Sequence, residues 1–169
     1  MIETYISHLR NREYMSGIER DRVRVKATGE VFTPTELVRE ILDAMDPELF
    51  SVEKTFIDNS CGDGQFLSEV LIKKLERIDQ EKGVISEEDF GLALASIYGV
   101  DLMIDNVELC RERLLCGFEK FRRTVESNIV QANALEYDYK FKRVKRRSNK
   151  QEEIESRDRV LRRMGYYNK

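Results

Sequence analysis

The residues best suited to chemistry in this chain lie in one short stretch, Asp58-Asn59-Ser60-Cys61-Gly62-Asp63-Gly64. It follows a short apolar run, Thr55-Phe56-Ile57, and precedes helical spacing from Gln65 onward (Phe66, Leu67, Val70, Leu71, Leu75, Ile78) that closes near Gly83. Two glycines allow the backbone to pass close to a ligand, and the turn aims the N-terminus of the following helix at it. Phosphate-binding loops share this logic, but the chemistry here differs. The GxxxxGK[ST] spacing of a P-loop is absent, one acid ends the apolar run and another lies inside the turn. Carboxylates so placed repel a pyrophosphate and welcome an ammonium group or a ribose. A tight turn that only packs helix on strand would look the same. A second acid in the same setting favours the ligand: Ser96-Ile97-Tyr98-Gly99-Val100 is another short apolar run, and Asp101 ends it. An acid there accepts hydrogen bonds from ribose hydroxyls in doubly wound nucleotide-binding folds. Asp101 also suits the cap of a helix from Met103, and the two roles are compatible.

These residues need a scaffold, and the flanking pattern supplies one. Ile2, Tyr5, Ile6 and Leu9 suit a short amphipathic helix, followed by an Arg-rich arm. Thr33 is a good N-cap with Pro34 at the first helical position and Glu36 three residues on. The helix it opens carries Leu37, Val38, Ile41, Leu42 and Met45 on one face and ends before Pro47. Another helix is expected over Ser86 to Ala95, capped by Ser86, and a long one from Met103 to about Thr124. Asn128 to Ala132 reads as a third strand, leading into Asn133. Strands alternating with helices imply an α/β fold with a short, mostly parallel sheet, which binds ligands at the carboxyl ends of its strands. Those ends are Asp58, Asp101 and Asn133. Tyr137, Tyr139 and Phe141 alternate as the buried face of an edge strand would, or as aromatics near an incoming base.

With 169 residues the chain fits one domain, divided into an arm (1–28), an α/β core (29–139) and a basic tail (140–169). From Lys140 to Lys169 twelve Lys/Arg face four Asp/Glu, so a tail of about +8 offsets a body of about −11. That asymmetry fits a nucleic-acid contact or a solvated tail. Three cysteines without CxxC spacing read as free thiols in a reducing cytoplasm, and the single His8 argues against a His-based metal site or a Ser/His/Asp triad. No apolar run is long enough for a membrane span.

Taken together, four segments resemble the γ-type N6-adenine DNA methyltransferases, including the modification subunits of restriction systems. Gly29-Glu30-Val31-Phe32-Thr33-Pro34 is similar to their upstream cofactor motif, whose Thr-Pro turn closes over the methionine end. Asp58 to Leu67 resembles D-P-A-C-G-S-G-x-F-L, with Asn59 for Pro, Ser60 for Ala and Asp63 for Ser. Tyr98 to Leu102 resembles the ribose-binding segment, and Gln131-Ala132-Asn133-Ala134-Leu135 the third motif, near the cofactor's adenine. The resemblance covers residues 29 to 139. It implies a Rossmann-like, truncated methyltransferase core that binds S-adenosylmethionine through Phe32, Thr33, Pro34, Asp58, Ser60, Cys61, Gly62, Gly64, Phe66, Asp101, Leu102, Asn133 and Ala134.

The chain departs from the family where the chemistry should be. The fourth motif, [N/D/S]-P-P-[Y/F], holds the flipped adenine's amino group. Here the only prolines are Pro34 and Pro47, so no Pro-Pro exists, and no catalytic residue can be named. Methyl transfer needs little beyond alignment of an amine with the sulfonium methyl, so activity is not forbidden. Three functions stand open: an adenine methyltransferase relative completed by another chain, a non-catalytic cofactor-sensing or nucleic-acid-binding module, or another enzyme acting on the same cofactor. The basic tail and Arg-rich arm (Arg10, Arg12, Arg20, Arg22, Arg24) are the expected DNA contacts. A three-stranded sheet leaves an edge that the tail, a second copy or a partner chain is expected to cover.

Overall fold

The computed structural model describes residues 2–11 and 33–141. Phe32, the arm from Arg12 onward and the tail beyond Phe141 lie outside the described residues. Among the described residues six α-helices and three short strands follow one another as α1 (Ile2–Arg10), α2 (Thr35–Asp43), β1 (Phe56–Asp58), α3 (Gln65–Lys82), α4 (Glu87–Ala95), β2 (Ile97–Asp101), α5 (Ile104–Leu115), α6 (Arg122–Asn128) and β3 (Ile129–Gln131). The strands form one parallel sheet in the order β1-β2-β3. Phe56 pairs with Ile97 and Asp58 with Gly99, while Gly99 pairs with Ile129 and Asp101 with Gln131. The expected α/β class and all three strands are present.

Helix α3 lies against β1 and β2, α5 lies against β2 and β3, and the two helices touch. Their apolar stripes, Leu67, Val70, Leu71, Leu75 and Ile78 from α3 and Val107, Cys110 and Leu114 from α5, are buried in one core. Helix α1 joins the same core, with Leu9 fully buried and Ile2, Tyr5 and Ile6 packed against it. Gly99 allows the close approach: a Cβ there would lie 2.9 Å from Cys61 Sγ and 2.9 Å from Leu67 Cδ1. Lys74 sits in the apolar stripe of α3 and is fully buried. Its ammonium donates to the carbonyls of Ser51 (2.7 Å) and Lys54 (2.8 Å) and lies over the Phe56 ring, which fixes the loop entering β1.

Local capping follows the sequence in one place and not in another. Ser86 and Asp89 form a full capping box at the start of α4, and α3 stops at Gly83 in the left-handed region (φ 72°). At α2 the cap position is Pro34, not Thr33, and no side chain caps the helix. Of the expected apolar face, Val38 and Leu42 are buried whereas Leu37 and Ile41 remain exposed. The long helix expected from Met103 to Thr124 is broken. Cys116 and Gly117 both take positive φ (48° and 77°), ending α5 and turning the chain into a 3-10 turn before α6. The break brings Phe118 and Phe121 onto Phe90, with ring centroids 5.1 and 5.6 Å apart, and Phe118 also stacks on Tyr5.

The described residues cover the second face of the sheet thinly. Register partners in a parallel ladder share a face, so Ile57 and Tyr98 project together, away from Leu67 and Cys61. Ile57 is 52% exposed. Tyr98 packs against Phe141 at 4.8 Å, and Tyr137 and Tyr139 complete the cluster. These aromatics are not an edge strand: residues 136–141 pair with no strand, and Tyr139 takes φ 55°.

Candidate functional site

The parallel register carries the three expected polar ends to one rim of the sheet. Asp58 closes β1, Asp101 closes β2, and the ladder runs on past β3 through Ala132 N–H to the Asp101 carbonyl (3.0 Å), which sets Asn133 beside Asp101. Asp101 is the hub. One carboxylate oxygen accepts the Gly62 N–H of the glycine turn at 2.9 Å, and the other accepts Met103 N–H at 2.8 Å, with Asn106 Nδ2 at 3.4 Å. It therefore clamps the turn after β1 to the entrance of α5. Cys61 N–H to the Val100 carbonyl (3.0 Å) is a second tie between the same segments. Each carboxylate oxygen can take two hydrogen bonds, and Oδ2 takes one among the described residues.

Asp58 is half-buried and accepts Ser60 N–H at 3.0 Å. Burial raises its carboxyl above the usual range, the Ser60 N–H works against that, and the charge of Asp101 adds to the rise. A cationic group laid over both carboxylates would relieve their repulsion. Around them Asn59, Ser60, Leu102 and Asn133 are exposed, Leu102 to 59%. Asn133 Oδ1 accepts Leu135 N–H at 3.1 Å. The Ala134 carbonyl accepts the Tyr139 hydroxyl at 2.8 Å, which ties the aromatic cluster to the loop after β3.

Other expected residues face inward. The Cys61 side chain is buried beneath Gly99, and its thiol is raised by a hydrogen bond with Cys110 and by burial. Phe66 is half-buried and packs on the core. Gly64 takes φ 84°, and a Cβ there would lie 2.6 Å from Cys110 Sγ. Its glycine is demanded by helix packing and backbone conformation. Along the outer edge of β1, Phe56, Ile57, Asp58, Asn59, Phe66, Leu67 and Val70 line an open cavity of about 260 Å³. That is below the usual range for a whole drug-sized ligand.

One buried cluster has no counterpart among the expected residues. Arg113 of α5 donates through Nε to the Leu9 carbonyl (2.6 Å) and through Nη2 to Gln65 Oε1 (2.9 Å). Its Nη1 lies 3.6 Å from Asp63 Oδ2 inside the glycine turn. Gln65 Nε2 in turn donates to Thr35 Oγ1 at 2.9 Å. The only sequence signal was a charged residue three positions after Cys110 on the apolar stripe of α5. Arg10, one of the expected phosphate contacts, donates through Nε and Nη2 to the two carboxylate oxygens of the buried Glu69 (2.9 and 2.8 Å).

No family model, curated protein or solved structure matches this chain. Among the described residues no helix is long and apolar enough to cross a membrane. The three cysteines are free, and no group of three or more His, Cys, Asp or Glu is placed to hold a metal among the described residues.

Proposed function

We propose that this chain binds S-adenosylmethionine on the rim formed by Asp58, Asp101 and Asn133, as the cofactor half of an adenine N6 DNA methyltransferase in the cytoplasm. One observation carries the proposal: Asp101, ending the middle strand, holds the Gly62 N–H of the glycine turn and keeps acceptor capacity on Oδ2. The rim's chemistry suits the parts of that molecule. Asp101 accepts from ribose hydroxyls, exposed Leu102 offers an aliphatic flank for adenine, and Asp58 attracts the ammonium end. Among the described residues no Lys or Arg side chain enters the Asp58–Asp101 hydrogen bonding, which suits a ligand with no phosphate. When bound, the cofactor supplies a methyl group on a sulfonium. The chain's own residues bind it, orient it and hold the turn in place.

The acceptor base is the task of an Asn-Pro-Pro-Tyr type of motif supplied from outside these 169 residues, as by a partner chain, because the only prolines here are Pro34 and Pro47. DNA contact through the basic tail belongs to the same proposal. A second reading, a non-catalytic cofactor-sensing module, is favoured by that same lack of Pro-Pro.

Titration calorimetry with S-adenosylmethionine tests the shared step. Binding is expected, weakened about tenfold or more in Asp101→Asn, where an amide replaces one acceptor oxygen. No heat at millimolar cofactor would sink the proposal. Labelled cofactor with adenine-containing DNA then separates the readings. Transfer by the chain alone refutes dependence on a partner, and no transfer with any Asn-Pro-Pro-Tyr chain supplied leaves the sensing module.

A further inference from the structure

The two edges of the sheet are finished differently. Hydrogen bonds to a neighbour in a parallel ladder leave from alternate residues of each strand. Phe56 N–H donates to the Ser96 carbonyl at 3.0 Å and Phe56 pairs with Ile97, so Phe56 and Asp58 bond to β2. Ile57, between them, turns its N–H and C=O outward. At the far edge Ala132 N–H donates to the Asp101 carbonyl, which leaves Ile129 and Gln131 facing out. There the Ile129 carbonyl accepts Arg111 Nε (3.0 Å) and Nη2 (2.7 Å), so a charged side chain holds the place an added strand would need. Among the described residues β1 has no such guard, and β2 is the only strand that pairs with it. The Ile57 side chain is 52% exposed, and the open cavity of about 260 Å³ along this edge is floored by buried Leu67 and Val70 beside Phe66.

We infer that a second copy of this chain pairs with β1, antiparallel about a twofold axis at Ile57, so that two sheets join into one of six strands. A three-residue strand whose middle residue alone faces outward is complementary to itself. The twofold sets Ile57 N–H on the Ile57 carbonyl of the second copy and the reverse, with no choice of register. Their Cα atoms then lie about 5.5 Å apart. Side chains directly opposite share a face, so the two half-exposed isoleucines cover each other. The charges are also compatible. Asp58 stands opposite Phe56 of the second copy, so the two carboxylates do not face each other. A strand this short falls below the roughly 800 Å² per partner of a standard interface. The cavity beside it supplies more, because α3 lies against β1 and the pairing brings two α3 helices alongside. Association in the micromolar range follows. Antiparallel pairing points the two Asp58–Asp101 rims in opposite directions and leaves both open, so the inference does not depend on which ligand they take.

Analytical ultracentrifugation of the full chain, from about 1 to about 500 μM, tests the pairing. The parent should pass from monomer to dimer across that range. Ile57→Lys and Ile57→Glu each set like charges face to face across the twofold, and each should weaken the dimer about tenfold or more. An equimolar mixture of the two sets lysine against glutamate and should restore dimers to within about threefold of the parent. Ile57→Pro removes the outward N–H and no bond to β2, so it too should be monomeric while keeping its fold in a thermal melt. A parent that stays monomeric throughout overturns the inference, as it would were another segment of the chain to cover this edge. A dimer indifferent to Ile57→Lys places the interface elsewhere and overturns it as well. Lysine and glutamate variants that stay monomeric when mixed show that Ile57 does not meet its own copy, and the twofold falls. Should Ile57→Pro fail to fold, the lysine and glutamate pair still decides.

Discussion

Gly64→Ala tests whether the glycine turn is shaped by packing. Two costs add at this position. An alanine at φ 84° enters the left-handed region, a penalty of about 1–2 kcal/mol. Its Cβ would also stand 2.6 Å from Cys110 Sγ, 3.2 Å from Cys110 Cβ and 3.3 Å from Cys110 Cα. Cys110 is fully buried, so α5 or the turn must give way, and overpacking of this kind costs about 1–3 kcal/mol. The variant should thus lose about 2–5 kcal/mol in urea unfolding. Cys110→Ala removes the sulfur responsible for the shortest contact and leaves the backbone term untouched. The double variant should therefore be more stable than the two single losses predict, by about 1–3 kcal/mol of coupling. Additive losses in the double-mutant cycle would refute the packing account. The glycine would then owe its place to conformation alone, or to a ligand that the backbone must approach.

Two titrations give further checks. Burial holds the Lys74 ammonium down to about 8, below an unfolded value of about 10.4, so the unfolded chain binds more protons between those values. Unfolding free energy should rise as pH goes from about 8 to about 10, and Lys74→Met should flatten that rise when measured by urea midpoints. Asp89 is held at about 2, first by Lys82 and then by Ser86, so its contribution is present above an unfolded value of about 3.9. Stability should fall as pH drops from about 4 to about 2, and Asp89→Asn should lose that step, seen in acid unfolding followed by circular dichroism. An unchanged acid midpoint in Asp89→Asn would count against the capping box as a source of stability.

The strands could be read from the sequence because each is a short apolar run with an acid or a polar residue at its carboxyl end, and period and punctuation agree. Ser86 was readable for the same reason, since its partner Asp89 is three residues away. The break at Cys116-Gly117 was hidden: Leu114, Leu115, Phe118 and Phe121 keep helical spacing straight across it. What decides there is tertiary, because Phe118 and Phe121 gain Phe90 and Tyr5 by turning. The rim was visible through Asp58 and Asp101, whose surroundings are local. The cluster around Arg113 was not, for its bonds join positions 30, 48 and 104 residues apart, and no local pattern records a contact of that range. Gly64 was noticed for its spacing, but the neighbour that demands it, Cys110, lies on another helix.

The bond from Arg113 to the Leu9 carbonyl also bears on how the chain reaches its structure. Arg113 is made 104 positions after Leu9. At about 5–20 residues per second, α1 waits about 5–20 s on the ribosome for the group that locks it. During that interval its apolar side chains have α3 and the Phe90 ring of α4 to shelter them. The final, rate-limiting event should then be the docking of α5, the helix that carries Arg113, with the first helix and the glycine turn becoming protected from hydrogen exchange together.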